Sequence, residues 1–211
     1  MKILNLYAGI GGNRKLWSAE HDITAVELDE NIASVYRQLY PNDTVIVADA
    51  HQYLLDHYSE FDFIWSSPPC PTHSKARYAL GVIGKGFPAV YPDMRLYQEV
   101  LLLKHHFEGK WCVENVMAYY KPLIEPQRVG RHWYWSNFEI EKIAVPPSGI
   151  SQQKKKYRKE VGQTLSYNTE QHQKRLGIDI SHFKINNKRL LLRNAVEPEV
   201  GEHILKNAFE S

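Results

Sequence analysis

"MKILNLYAGIGG" (residues 1–12) is an apolar run that ends in three glycines within four positions. Ile3–Tyr7 reads as a buried strand. Gly9, Gly11 and Gly12 let the backbone turn sharply and approach a ligand closely. A strand that feeds straight into a glycine turn begins an α/β unit, and the next hundred residues repeat the alternation. The spacing predicts a helix over Asn13–Glu20, a strand at Ile23–Val26 and a helix over Asn31–Tyr40. In that helix Ile32, Val35, Tyr36 and Leu39 share one face, and Pro41 stops it. Further strands are expected at Thr44–Ala48, Phe61–Trp65 and Trp111–Val113, with helices near His51–His57 and over Arg95–Phe107. This pattern predicts a mostly parallel sheet with helices on both faces.

Beyond Arg131 the pattern changes. "HWYWSNFEI" (132–140) is aromatic enough for one or two strands, and "AVPPSGISQQKKKYRKE" (144–160) reads as an exposed loop. Residues 169–178 predict a short helix ending near Gly177, and Glu197–Phe209 a terminal helix with Pro198 in its first turn. The chain has 211 residues, enough for one full core with a small appendage. Its formal charge of +2 implies no partner by itself, although "KKKYRK" (154–159) is a local basic cluster. There is no 18-residue apolar run, so no membrane span is expected. Two cysteines make no disulfide framework, and no signal-peptide pattern opens the chain; a reduced, cytoplasmic setting is expected.

In open parallel sheets ligands bind at the carboxyl ends of the strands. Here those ends carry the glycine turn, Glu27, Asp49, the "SSPPCPTHS" loop (66–74) and Glu114-Asn115. Glu27 lies 18 residues past Gly9, where an acid can take ribose hydroxyls. Arg14 breaks the G-x-G-x-x-G spacing and disfavours a dinucleotide; a plain glycine turn with surface acids is the alternative. Cys70 is flanked by Pro68, Pro69 and Pro71, which fix φ and remove amide donors, as suits a loop that aims a side chain. Its neighbours Thr72, His73, Ser74, Lys75 and Arg77 are polar or basic. Cys112, inside the apolar "WCV", reads as packing.

These residues together resemble DNA cytosine-5 methyltransferases. "LNLYAGIGG", Pro69-Cys70, "VENV" (113–116), "PQRVGR" (126–131) and "RNAV" (193–196) occur in that family's order. The short length and the "PPCPTHS" style look most like phage or prophage members, and a restriction–modification setting would fit. The resemblance implies a Rossmann-like S-adenosylmethionine-dependent methyltransferase fold. It implies a catalytic and cofactor-binding core over 1–136, a reduced target-recognition segment over 137–192 and a C-terminal helix returning over 193–211. It places Tyr7, the three glycines, Glu27, Leu28, Asp49, Pro69, Leu96, Asn194 and Ala195 around S-adenosylmethionine; no metal is expected. Cys70 would be the nucleophile, Glu114 the carboxyl that contacts the base and Arg131 the last arginine of a Gln-x-Arg-x-Arg motif begun by Gln127. Ser74, Lys75, Arg77, Lys85, Asn115, Gln127, Lys154, Lys155, Lys156 and Arg158 would contact DNA. The stretch after Cys70, with Gly81, Gly84 and Gly86, reads as a lid over a flipped nucleotide.

The sequence departs from the family at Pro71 (usually Gln), at Val129 (the motif's middle arginine) and at Arg193 (usually Gly). Only 62 residues separate Arg131 from Asn194, far fewer than the usual recognition domain. A short or relaxed target, or a dimer or second subunit that supplies recognition, is therefore expected. Alternatives are a tRNA methyltransferase of the same chemistry, an inactive nucleic-acid-binding relative and, more distantly, a nicotinamide oxidoreductase.

Overall fold

The computed structural model describes residues 1–82, 88–144 and 168–210. Its centre is a seven-stranded sheet in the order β3-β2-β1-β4-β5-β7-β6. The strands are β1 (Lys2–Leu6), β2 (Asp22–Glu27), β3 (Thr44–Val47), β4 (Phe63–Ser66), β5 (Lys110–Val116), β6 (Gln127–Val129) and β7 (His132–Ser136). The first five are parallel, and β7 runs antiparallel between β5 and β6. The expected sheet is present, with an antiparallel hairpin at one edge.

Strand residues alternate between two cores, as a doubly covered sheet requires. Ile3, Ile23, Phe63, Trp65, Cys112 and Tyr134 face helix α7 (Pro198–Phe209) through Val200, Ile204 and Leu205. Leu4, Leu6, Val26, Ile64, Trp111 and Val113 face α2 (Ala50–His57) and α4 (Arg95–His106). Helix α1 (Glu30–Leu39) covers Ala25 with Tyr36 and is capped by Asp29, whose carboxylate accepts from the Asn31 amide. The expected helix ends hold: Pro198 opens α7, and α5 (Thr169–Leu176) has a capping box of Asn168 and Gln171 and a left-handed Gly177 at its end.

The structure differs from expectation in three places. Residues 13–20 form turns, not a helix: Trp17 N–H donates to the Arg14 carbonyl, an i to i+3 bond. The side chains there are committed elsewhere. Arg14 is buried, bonds Asp43 through Nε at 2.7 Å and donates to the Trp17 carbonyl at 2.9 Å. Asn13 Nδ2 donates to Asn5 at 2.8 Å. A continuing helix would move both. Second, residues 75–82, read as lid, form helix α3 (Lys75–Val82). Third, α6 (Lys188–Asn194) was not anticipated; Leu192 is fully buried in a cluster with Ile10, Val35, Leu176 and Ile180. Of the 137–192 stretch, residues 168–192 thus pack on the glycine turn and α1, whereas Phe138 and Ile140 join the core beneath α7. Lys85, Gly84, Gly86 and the 154–159 cluster lie outside the described residues.

Candidate active site

The turn after β1 sets the site. Tyr7 (φ 55°), Gly9 (φ 55°) and Gly11 (φ 70°) all adopt left-handed backbone, which costs a tyrosine about 1–3 kcal/mol. Gly11 must be glycine on a second count: a Cβ there would lie 2.4 Å from the Tyr40 ring. A Cβ on Gly12 would lie 2.4 Å from the Val196 carbonyl oxygen, so the C-terminal segment closes directly on the turn.

Below that closure is a cavity of about 520 Å³. The turn lines it through Tyr7, Gly9 and Gly12, the cysteine loop through Pro69, Cys70 and Ser74, β5 through Glu114, the β6–β7 hairpin through Arg131 and His132, and the C-terminal segment through Asn194 and Ala195. Residues from near both ends of the chain, Asn5 to Glu197, therefore share one space. Cys70 is half-buried while Cys112 is completely buried, as expected. Burial and the Glu114 carboxylate push the Cys70 thiol up; Arg193 pulls it back. Glu114 also has His132 Nε2 at 3.8 Å. Asn115 braces the cysteine loop: its buried amide donates to the Pro68 carbonyl at 2.9 Å.

Other predicted residues are placed differently. Glu27 accepts from the Gly9 amide at 2.9 Å and from the Asp29 amide at 3.0 Å; it fastens the turn but is not itself among the residues that line the cavity. Asp49 caps α2, accepting from the His51 amide at 2.9 Å. Leu28 is exposed beside them, whereas Leu96 is buried in the core of α4. Gln127 is not brought to the cavity. Its amide donates to Ser136 and to the Phe138 carbonyl and accepts from the Ile140 amide, tying the hairpin to the chain beyond it. Ser74 caps the start of α3, and Lys75 and Arg77 lie on that helix.

Sequence reading missed Glu99. It is 1% exposed and accepts from the Tyr7 hydroxyl (2.6 Å), the Ser66 hydroxyl (2.6 Å) and His51 Nδ1 (2.9 Å). The signal was available: Glu99 interrupts the apolar stripe of Leu96, Val100 and Leu103. Burial and Glu99 drive the Tyr7 phenol far above its ordinary range, and the bond to Glu99 raises His51. Also unanticipated was a partly buried ion pair between Arg175 and Glu197 in the cavity wall.

The cavity fits a methyl donor that carries a ribose. A Cβ on Gly9 would meet nothing closer than the Tyr7 carbonyl at 4.0 Å, so the turn leaves room there. Asn5 lines the cavity and is held there by Asn13, whose Nδ2 donates to its Oδ1 at 2.8 Å. Each Glu27 oxygen receives one amide and retains acceptor capacity.

The sheet order and this cavity define a Rossmann-like methyltransferase fold. A triple mutant of DNMT2 from Spodoptera frugiperda superposes with a TM-score of 0.58 at 15% identity, over 99% of this chain and 99% of that one. Weaker likenesses are a putative methyltransferase, yhhF, from Escherichia coli (TM-score 0.39, 16% identity, 64% of this chain and 73% of that one) and an S-adenosylmethionine-dependent methyltransferase from Agrobacterium tumefaciens (0.42, 13%, 57% and 40%). No curated protein matches the chain. Residues 1–87 match the family described as C-5 cytosine-specific DNA methylase. The resemblance drawn from the motifs is thus borne out over the stretch that holds the glycine turn and Cys70. The match supports cytosine-5 methylation, with S-adenosylmethionine as the cofactor. No helix among the described residues is long and apolar enough to cross a membrane.

Proposed function

We propose that this chain methylates C5 of a cytosine flipped out of duplex DNA, through a transient bond between Cys70 Sγ and C6 of the base. The observation that carries this reading is the convergence of Cys70, Glu114 and Arg131 on one cavity with the glycine turn. Cytosine C5 is too weak a nucleophile to be methylated unaided. Addition of the Cys70 thiolate to C6 breaks the ring's aromaticity and makes C5 enamine-like, so one hard step becomes two easier ones. Glu114, in the neighbouring strand β5, takes up a proton as the base binds and donates it toward N3 as charge develops. Arg131, on the hairpin, stabilises O2. S-adenosylmethionine supplies an electrophilic methyl carbon on a sulfonium. Tyr7, Gly9, Glu27, Asn194 and Ala195 would hold it. Once C5 carries the methyl, a general base takes the C5 proton, the C6–S bond breaks with Cys70 leaving as thiolate, and the ring is restored.

A cytosine in a duplex cannot reach this cavity, so the base must leave the stack at a cost of a few kcal/mol. Sequence recognition falls to the 137–192 segment, which is short, and a short or relaxed target follows. DNA carrying 5-fluorocytosine tests the covalent step, because fluorine cannot leave C5 as a proton does. A denaturation-resistant adduct that Cys70→Ala abolishes is expected; its absence refutes the mechanism. Transfer of labelled methyl to duplex DNA should exceed transfer to tRNA, and the reverse order would overturn the choice of DNA.

A further inference from the structure

We propose that His73 is the positioning residue that aims the Cys70 sulfur, by anchoring the turn that carries it to Tyr120. The proposal rests on the reading of Cys70 as the nucleophile and gives a role to residues of "PPCPTHS" which that reading leaves idle.

The His73 amide donates to the Cys70 carbonyl at 3.1 Å, so residues 70–73 form a hydrogen-bonded β-turn. Pro71, where the expected motif has glutamine, occupies the second position, whose φ a proline ring already matches. The turn sets the shape of the loop; its far end sets the direction. His73 is 1% exposed, and its Nδ1 shares a hydrogen bond with the Tyr120 hydroxyl at 2.5 Å. Its carbonyl accepts from the Tyr119 amide at 3.1 Å, and Ser74 makes an antiparallel bridge to Ala118. Tyr120 is itself bonded to Tyr97, whose hydroxyl also accepts from the Leu123 amide at 3.2 Å. Tyr97 is buried on α4 and packs edge-on against Trp135 of β7, with ring centroids 5.9 Å apart. The anchor is therefore the core beside the sheet. Asn115 fixes the near end of the loop at Pro68, and Cys70 is held between the two points.

The other polar side chains of the loop do not reach that core. Thr72 accepts from the Asp93 amide at 2.9 Å, in an irregular stretch ahead of α4. The Ser74 hydroxyl is taken by the Ala76 and Arg77 amides at the start of α3. His73 does not exchange protons with the base. It is not among the residues that line the cavity, and burial lowers its basicity, although the Asp93 backbone also bonds it. It acts through Cys70.

The test compares the full chain with Tyr120→Phe, His73→Leu and His73→Asn, by hydrogen exchange and by methyl-transfer kinetics. The first two variants remove the bond; Asn places an amide where Nδ1 stands. Without the bond, the amides of Cys70, Thr72, His73 and Ser74 should exchange about fivefold faster or more, the weight of one neutral hydrogen bond. Amides of β1 and β4 should keep their wild-type rates. On duplex DNA kcat should fall about tenfold with KM for DNA and for S-adenosylmethionine unchanged, because the bond places the sulfur and touches neither ligand. His73→Asn should recover most of both effects. Unchanged loop exchange in Tyr120→Phe and His73→Leu would overturn the proposal. So would faster exchange spread over β1 and β4, which would make the bond a support of the whole fold, or a loss carried by KM alone. Hydrogen exchange uses neither nucleic acid nor cofactor, and the fluorocytosine trap reads the wild-type sulfur, so the two ideas can fail separately.

Discussion

Glu99 offers the most quantitative test of how the site is built. Three donors converge on its buried carboxylate, at 2.6, 2.6 and 2.9 Å. Glu99→Gln keeps the shape and need not orphan anything. The amide oxygen can still accept from Tyr7 and His51, and the Ser66 hydroxyl can turn to accept from the new NH₂. What is lost is the charge. Charge-assisted bonds are roughly twice as strong as neutral ones, about 2 against about 1 kcal/mol, so the change costs about 3 kcal/mol over the three. Tyr7→Phe in the wild type removes one charge-assisted bond, about 2 kcal/mol. In the Glu99→Gln background it removes a neutral one, about 1 kcal/mol. The double mutant should therefore be about 1 kcal/mol more stable than additivity predicts. For a chain of this length that is a gap of about 2–4 °C in Tm. Thermal unfolding of the four proteins measures it. Additivity to within about 0.3–0.5 kcal/mol would mean that Tyr7 and Glu99 do not act together.

The same network has a pH signature. Pairing with Glu99 raises His51 above its unfolded value of about 6.5. Its contribution is therefore fully present below about pH 6.5 and lost as pH rises through the folded value. The stability gap between wild type and Glu99→Gln should be larger at pH 6 than at pH 9. A constant gap would remove His51 from the account.

Three further changes probe separate supports. Gly12→Ala pushes a methyl into the Val196 carbonyl and should cost about 1–3 kcal/mol, seen as a lower Tm and weaker S-adenosylmethionine binding by calorimetry. Arg14→Ala leaves Asp43 buried without its cation (side chains 8% and 1% exposed) and should cost about 3–5 kcal/mol by denaturant unfolding; less than 1 kcal/mol would contradict a structural role. Asn115→Ala frees the Pro68 carbonyl and should slow methyl transfer about tenfold while calorimetry shows cofactor binding unchanged, because the loosened loop no longer aims Cys70.

The elements legible in the sequence were those decided by local pattern. Strands β1 to β5 are apolar runs bounded by turn residues, and α1, α4 and α7 carry helical spacing between clear stops. The Asn13–Glu20 stretch misled because its apolar and charged residues have helical composition, while its conformation is set by partners distant in sequence. Arg14 answers to Asp43, Asn13 to Asn5, and Trp17 donates to the Gly201 carbonyl at 3.0 Å. No window of sequence contains those bonds. Helix α6 was invisible for a related reason: its seven residues are too few to show a period, and burial of Leu192 against Ile10 and Val35 stabilises it.

The site divides along the same line. Residues that must occupy a strand end were readable from topology alone, since a parallel sheet sends Gly9, Glu27, Asp49, Cys70 and Glu114 to one edge. What topology cannot give is which of them reach a common space. Glu114 points to the same sheet face as Cys112 and Tyr134, and its neighbour Asn115 to the other, so one position decides whether a side chain meets the cavity or braces the loop behind it. Gln127 shows that the face alone is not enough: it pairs with Tyr134 on the face that carries Glu114, yet at the sheet's outer edge its amide is taken by Ser136 and Phe138. Register converts a list of strand-end residues into a site, and it was fixed by the pairing of β5 with β7, a contact between segments that only the folded sheet brings together.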